Sequence, residues 1–258
     1  MIKALNSKEI IDLVYKTPQY YKLSKQEGIN RIGFDPTQYP IDYIQDFYAN
    51  KVFSEPTKEE MEIITPSLNE ADNLSLKILS KLGIDKKLDW KIVKINSGFD
   101  WDYPQTRADV VFIPEYFFQT PNVKTLVHEK MHLYQREYPK LFENLYNKWG
   151  FKKIKLNDSE KEQINSRGLY SKTINNPDTT DGGTWVFRKN KNEYLLPVYA
   201  IKSNGKPTTL GFIMDANNRN NSMYFVGDIS DFSNFFGANQ IDHPNEIFAC
   251  RETKNISY

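Results

Sequence analysis

His128, Glu129 and His132 are the residues in this chain whose types and spacing most directly spell out chemistry. Their pattern is His-Glu-x-x-His. On a helix, positions four apart share a face, so both imidazoles can present a nitrogen to one metal ion. Glu129 lies about 100° around the helix from His128, near enough to reach a water on that ion without becoming a ligand. Zinc held there lowers the pKa of the water, and the carboxylate takes its proton as hydroxide attacks a carbonyl. The plainer alternative is a pair of ordinary polar helix residues. Against it, the pattern uses two of only three histidines in the chain.

The neighbouring residues fit a metal-bearing helix. Leu126, Val127, Leu133 and Tyr134 fall away from the imidazoles, where a core would lie, while Thr125, Gln135 and Arg136 fall toward them. Lys130 projects from within the apolar arc and is expected to carry its ammonium to solvent on its long stem. Arg136 is placed to pair with a substrate carboxylate or a nearby acid, or to form a solvated ion pair. Catalytic zinc takes three protein ligands and keeps one position for water, so a third ligand is required. Glu246 follows Pro244 in the first turn of a C-terminal helix, a place the helix dipole also favours for an ordinary glutamate. His243 competes with it as ligand, transition-state stabiliser or simple loop histidine. Asp178 and Asp181 are further candidates.

The segment His128-Glu129-Lys130-Met131-His132, preceded by a strand-like run ending at Ile113, resembles the zincin metallopeptidases. The metzincin branch needs glycine at position 135 and histidine at position 138, where this chain has Gln135 and Tyr138. The gluzincin branch takes a glutamate from a later helix, and His243-Pro244-Asn245-Glu246-Ile247-Phe248-Ala249 is similar to that helix, with Ala249 as a small residue one turn on. The resemblance implies a zinc-dependent peptidase with His128, His132 and Glu246 as ligands and Glu129 as general base. It also implies a peptide or protein substrate whose backbone pairs with a strand beside the active-site helix. A tyrosine or histidine would steady the developing oxyanion, with Tyr199 and Tyr224 as candidates. Where many gluzincins carry an aspartate four residues after the ligand, this chain has Cys250, read as a small buried side chain. Two other readings remain open: a zincin-like domain that binds a protein partner without turnover, and a metal-dependent amide or ester hydrolase. The intact Glu129 speaks against the first.

The elements that must position these residues begin with short helices. Ser7 is expected to cap one over 7–15, and Pro40 to open another carrying Ile41, Ile44, Phe47 and Tyr48. Thr57 and Glu60 form a capping-box pattern, followed by a separate longer helix over 67–82 that stops at Gly83. Runs 90–95 and 108–113 read as strands; Pro121-Asn122 precedes a helix to about Tyr138, and 141–149 reads as another. Strands are expected over 184–187, 194–201, 208–213 and 223–226, with Pro197 making the second an edge strand, before a last helix over 245–252.

Composition narrows the function classes. The 258 residues carry a net charge of +1 with both signs interspersed, which gives no electrostatic footprint for nucleic acid or an anionic membrane. No apolar run is long enough to span a bilayer, and the first residues lack the apolar core of a secretory signal. Cys250 is the only cysteine, so an internal disulfide and a multi-cysteine zinc knuckle are both excluded, and a reducing, cytoplasmic setting is expected. The expected architecture is α+β: a helical N-terminal portion over 1–85 and a zincin-like domain over 86–258, or the two as one continuous domain.

Overall fold

The computed structural model describes residues 1–166, 176–180, 182–201, 207–215, 223–228, 238, 241–254 and 256. Its first sheet contains β1 (Ile2–Ala4), β2 (Phe53–Ser54), β3 (Trp90–Ile95), β4 (Gln105–Arg107) and β5 (Val110–Pro114). β3 and β5 run parallel at the centre and read as near-continuous apolar segments because both faces are covered. Trp90, Ile92, Val111 and Ile113 belong to one core, and Val93, Ile95, Val110 and Phe112 to a second. β1 joins β3 in parallel and β2 joins it antiparallel, so the first residues of the chain complete the sheet. β4 lies antiparallel on the outer side of β5. The strand expected from Ala108 starts at Val110, because Ala108 takes a left-handed φ of 51° in the tight β4–β5 turn.

Helices cover both faces of this sheet. On one side pack α1 (Ser7–Lys16) and α3 (Ile41–Phe47), which supply Ile10, Val14 and Ile44 to the second core. Between them lies a helix beyond those expected, α2 (Lys25–Ile32), closed by a Ser24–Glu27 capping box and a left-handed Gly33. The cap of α1 is Asn6 rather than Ser7, since Asn6 has Glu9 at the reciprocal position of a capping box. On the other side lies α4 (Lys58–Leu79), one helix where two were expected. Its buried stripe of Ile64, Leu68, Ala71, Asp72, Ser75 and Leu79 continues past Pro66. Pro66 is exposed, so the carbonyl it leaves unbonded faces water, and packing of the stripe outweighs the break.

α5 (Glu115–Gln119) follows β5, and α6 (Val123–Glu137) then lies beside α4. α7 (Pro139–Lys148) begins at Pro139 itself, which the first turn of a helix accepts without loss. The second sheet is an antiparallel meander: β6 (Phe151–Ile154), β7 (Thr184–Arg188), β8 (Glu193–Ile201), β9 (Pro207–Asp215) and β10 (Tyr224–Asp228). β8, expected at an edge, sits between β7 and β9. β7, however, pairs only with Tyr194 and Leu195, so from Pro197 onward β8 has a strand on one side only among the described residues. Trp185, Leu195 and Ile213 of this sheet join the core of α4 and α6, while α8 (Asp158–Ser166) adds Ile164 to its other face. α9 (Pro244–Lys254) closes the described fold against α6. The result is a mixed helix-and-sheet architecture, in line with the α+β expectation. Among the described residues no helix is long and apolar enough to cross a membrane.

Candidate metal centre

α6 forms because Asn122 caps it, accepting the Thr125 N–H at 3.0 Å, and because Leu126, Val127, Met131, Leu133 and Tyr134 are all buried in the core. That burial turns His128 and His132 toward α9. Their rings stand 4.8 Å apart, nearly perpendicular. α9 starts at Pro244 and packs Ile247, Phe248 and Ala249 inward, which brings Glu246, fully buried, across from both imidazoles.

Three donor groups converge. His132 Nε2 lies 3.0 Å from His128 Nε2, His128 Nε2 lies 3.1 Å from Glu246 Oε2, and His132 Nε2 lies 3.5 Å from Glu246 Oε1. Zinc bonds of about 2.0–2.1 Å at tetrahedral angles place ligand atoms about 3.3 Å apart, so the triangle has the size that one such ion requires. Burial opposes ionisation of all three groups, yet the glutamate and the imidazoles hold one another charged: Glu246 is kept well below the usual carboxylate range, and both histidines are raised. Two imidazoles and a carboxylate converging at these distances form a donor set whose types and geometry fit zinc.

Each donor has a neutral partner behind it. His132 Nδ1 bonds Gln135 Oε1 at 2.8 Å, and the Gln135 amide in turn donates to the Asn245 carbonyl at 3.0 Å. Asn176 donates to Glu246 Oε1 at 2.9 Å and to Asp242 Oδ2 at 3.3 Å. Cys250, one turn beyond Glu246, places its sulfur 4.0 Å from His128 Nδ1, so it lies beside the ligands as well as being a small side chain. Glu129 stands next to the triangle, and its Oε2 accepts the Thr106 hydroxyl at 2.8 Å. Burial, with Asp178 close by, pushes the Glu129 carboxyl up to about 8 against the pull of the two histidines.

Other candidates fall elsewhere. His243 stands outside the donor triangle: its Nδ1 accepts the Asn245 N–H at 3.1 Å at the start of α9, and burial lowers it to about 3. Its Nε2 is packed against Gly182, where a Cβ would come within 2.6 Å. Asp178 is also outside the triangle, bonded through Oδ1 to the Thr106 N–H, and Asp181 lies outside the described residues. Arg136 makes backbone contacts, donating to the carbonyls of His132, Thr106, Pro177 and Asp178. Lys130 reverses its expectation. It is fully buried, 3.0 Å from Asp72 Oδ1, 2.6 Å from the Leu88 carbonyl and 4.1 Å above the Trp90 ring. Asp72 on α4 is the counter-charge that makes this burial tolerable, and no local pattern around Lys130 announces it.

A cavity of about 850 Å³ opens onto this centre, lined among others by His128, Glu129, Trp101, Tyr103 and Tyr199. Burial raises the Tyr199 phenol well above its ordinary pKa, so it stays a hydrogen-bond donor. The side chain of Tyr224 is outside the described residues. The strand ending at Ile113 does not face the cavity as an open edge, because β5 lies inside the sheet and β4 is the outer strand. On β4 the outward N–H and C=O of Thr106 are taken by Asp178 and Arg136, and the Ala108 N–H goes to the Tyr20 hydroxyl at 2.7 Å.

Asp100 and Trp101, which line the cavity, and the following Asp102 are successive non-glycine residues in the left-handed region, with φ of 50°, 59° and 53°. Each such residue costs on the order of 1–3 kcal/mol unless its surroundings hold it there. The holding group is Asp100, buried and bonded to Arg31 Nη1 at 3.2 Å, Arg107 Nη2 at 2.6 Å and the Tyr48 hydroxyl at 3.1 Å. Comparison with protein-family models, with curated proteins and with solved structures returns no match.

Proposed function

We propose that this protein is a zinc-dependent peptidase of zincin type, acting on a peptide or protein substrate in a cytoplasmic setting where its lone cysteine stays reduced. The observation that carries the reading is the donor triangle of His128, His132 and Glu246, of zinc-fitting size, with a carboxylate beside it that is not one of the three. Zinc, when bound, supplies Lewis acidity toward water and the scissile carbonyl, and a positive field that returns the Glu129 carboxyl to its base form. The chain does the rest. Thr106 holds one oxygen of Glu129, leaving the other to take a proton from the attacking water and return it to the departing amine. Tyr199, protonated and lining the same cavity, is the donor available to the carbonyl oxygen as it gains charge.

The test is substitution of the base with the ligands left alone. Glu129→Gln should keep its zinc and lose hydrolysis of a diverse peptide library by about 10²–10⁴-fold. Glu246→Ala should lose the zinc, whereas His243→Ala should retain it. Cleavage by Glu129→Gln at the wild-type rate would show the mechanism to be wrong.

A further inference from the structure

We infer that this site, on the peptidase reading above, selects substrates by an aromatic or large apolar side chain held against the turn at Trp101 and Tyr103, and not by strand pairing along β4. Two independent observations meet here. The first is that the chain's own atoms already bond the outward groups of Thr106 at the middle of β4, its N–H to Asp178 and its carbonyl to Arg136, while in the turn that follows the Ala108 N–H goes to Tyr20. Arg136 gathers the carbonyls of Pro177 and Asp178 onto the same guanidinium, which fastens segment 176–178 along that side. An extended polypeptide would have to displace these bonds to pair at Thr106, so recognition shifts from backbone to side chain.

The second observation is the strained turn. A tryptophan with positive φ is a rare arrangement, and here it sits between two aspartates in the same region. Asp100 locks it from below through two buried arginines, and Asp102 locks it from above by accepting the Gly98 N–H at 3.0 Å. The held conformation sets Trp101 and Tyr103 on the wall of the cavity that contains His128 and Glu129. The Arg31 guanidinium lies 4.4 Å from the Trp101 ring centroid, with its charge already matched by Glu27 and Asp100. Pro104, Pro177 and Ile241 continue the wall. Polar side chains such as Lys124, Thr125, Thr208 and Thr209 line other parts of the cavity, but Arg31 and Asp100 compensate each other, so the stretch around Trp101 and Tyr103 offers an aromatic and apolar surface that matches a side chain of the same kind.

The experiment uses the zinc-loaded protein. Peptides with phenylalanine, alanine or lysine at the position next to the cleaved bond, and the phenylalanine peptide N-methylated along its backbone, are titrated into Glu129→Gln by calorimetry and offered to wild type for cleavage. The phenylalanine peptide should bind about tenfold or more tightly than the other two, and N-methylation should leave that advantage in place. Trp101→Ala and Tyr103→Ala should each reduce it with zinc content unchanged; Tyr103 is 60% exposed, so its removal leaves the fold intact. Equal binding of phenylalanine and alanine peptides, loss of binding on N-methylation, or an advantage that survives both substitutions overturns the inference. Aromatic-selective binding that depends on Trp101, with no cleavage by wild type, upholds the subsite and rejects the peptidase reading. Cleavage without aromatic preference does the reverse, and neither binding nor cleavage rejects both.

Discussion

An imidazole offers a lone pair to a metal only when its other nitrogen carries the proton, and at His132 that choice is made by Gln135, whose oxygen accepts from Nδ1 while its amide is fixed by Asn245. Replacing Gln135 with leucine should therefore weaken zinc binding by about 10–100-fold with the three ligands intact, measured by competition with a chelator of known affinity. Unchanged affinity would remove Gln135 from the centre. Much of this was legible in the residues themselves. His128, Glu129 and His132 announce themselves by spacing, Gln135 falls on their side at i+3 from His132, and Pro244 marks the helix that carries Glu246. Thr106 and Asn176 were not legible, because each reaches its carboxylate through tertiary approach from a distant segment, and Thr106 sits in a strand too short to show a pattern. Lys130 misled for a related reason. Its partner Asp72 is on another helix, and nothing nearby in sequence distinguishes a buried lysine from an exposed one. Asp72→Ala should cost about 3–5 kcal/mol in urea unfolding, since it strands a buried ammonium; a loss below 1 kcal/mol would show the pair to be incidental.

At the scale of elements, local signals served well where they were strong and poorly where packing decided. The capping box at Thr57 and the left-handed Gly83 delimit α4 and the short turn that follows it, but the separate helix expected over 67–82 is a continuation of the same one, through Pro66. The missing hydrogen bond is still a cost. Pro66→Ala should restore it and stabilise the fold by about 2 kcal/mol, the gain of about 3 kcal/mol being offset in part by the greater freedom of the unfolded chain. A thermal midpoint no higher than wild type would mean the helix has adapted fully to proline. Periodicity likewise located β3 and β5 but not which of them has an open side. That is set by β4, three residues whose pairing depends on a turn through Ala108. α2 is marked in the sequence by its Ser24–Glu27 box and by Gly33 at its end.

For the whole molecule, the centre ties together parts that lie far apart along the chain: His128 and Glu246 are 118 positions apart, and the two helices bearing them meet face to face in the main core. A ligand that binds only the folded form stabilises it by mass action, by about 2.7 kcal/mol at a hundred times its dissociation constant. Stripping zinc with a chelator should accordingly lower the melting temperature by roughly 5–10 °C, and adding zinc back should restore it. A melting curve indifferent to chelation would speak against a resident ion. The same long separation has a bearing on how the cell makes this protein. A nascent polypeptide that has not yet delivered Glu246 from the ribosome carries both histidines and the base but only two of the three ligands. Hydrolytic power, on the chemistry proposed, thus waits until the segment bearing Glu246 has emerged and folded against the two histidines.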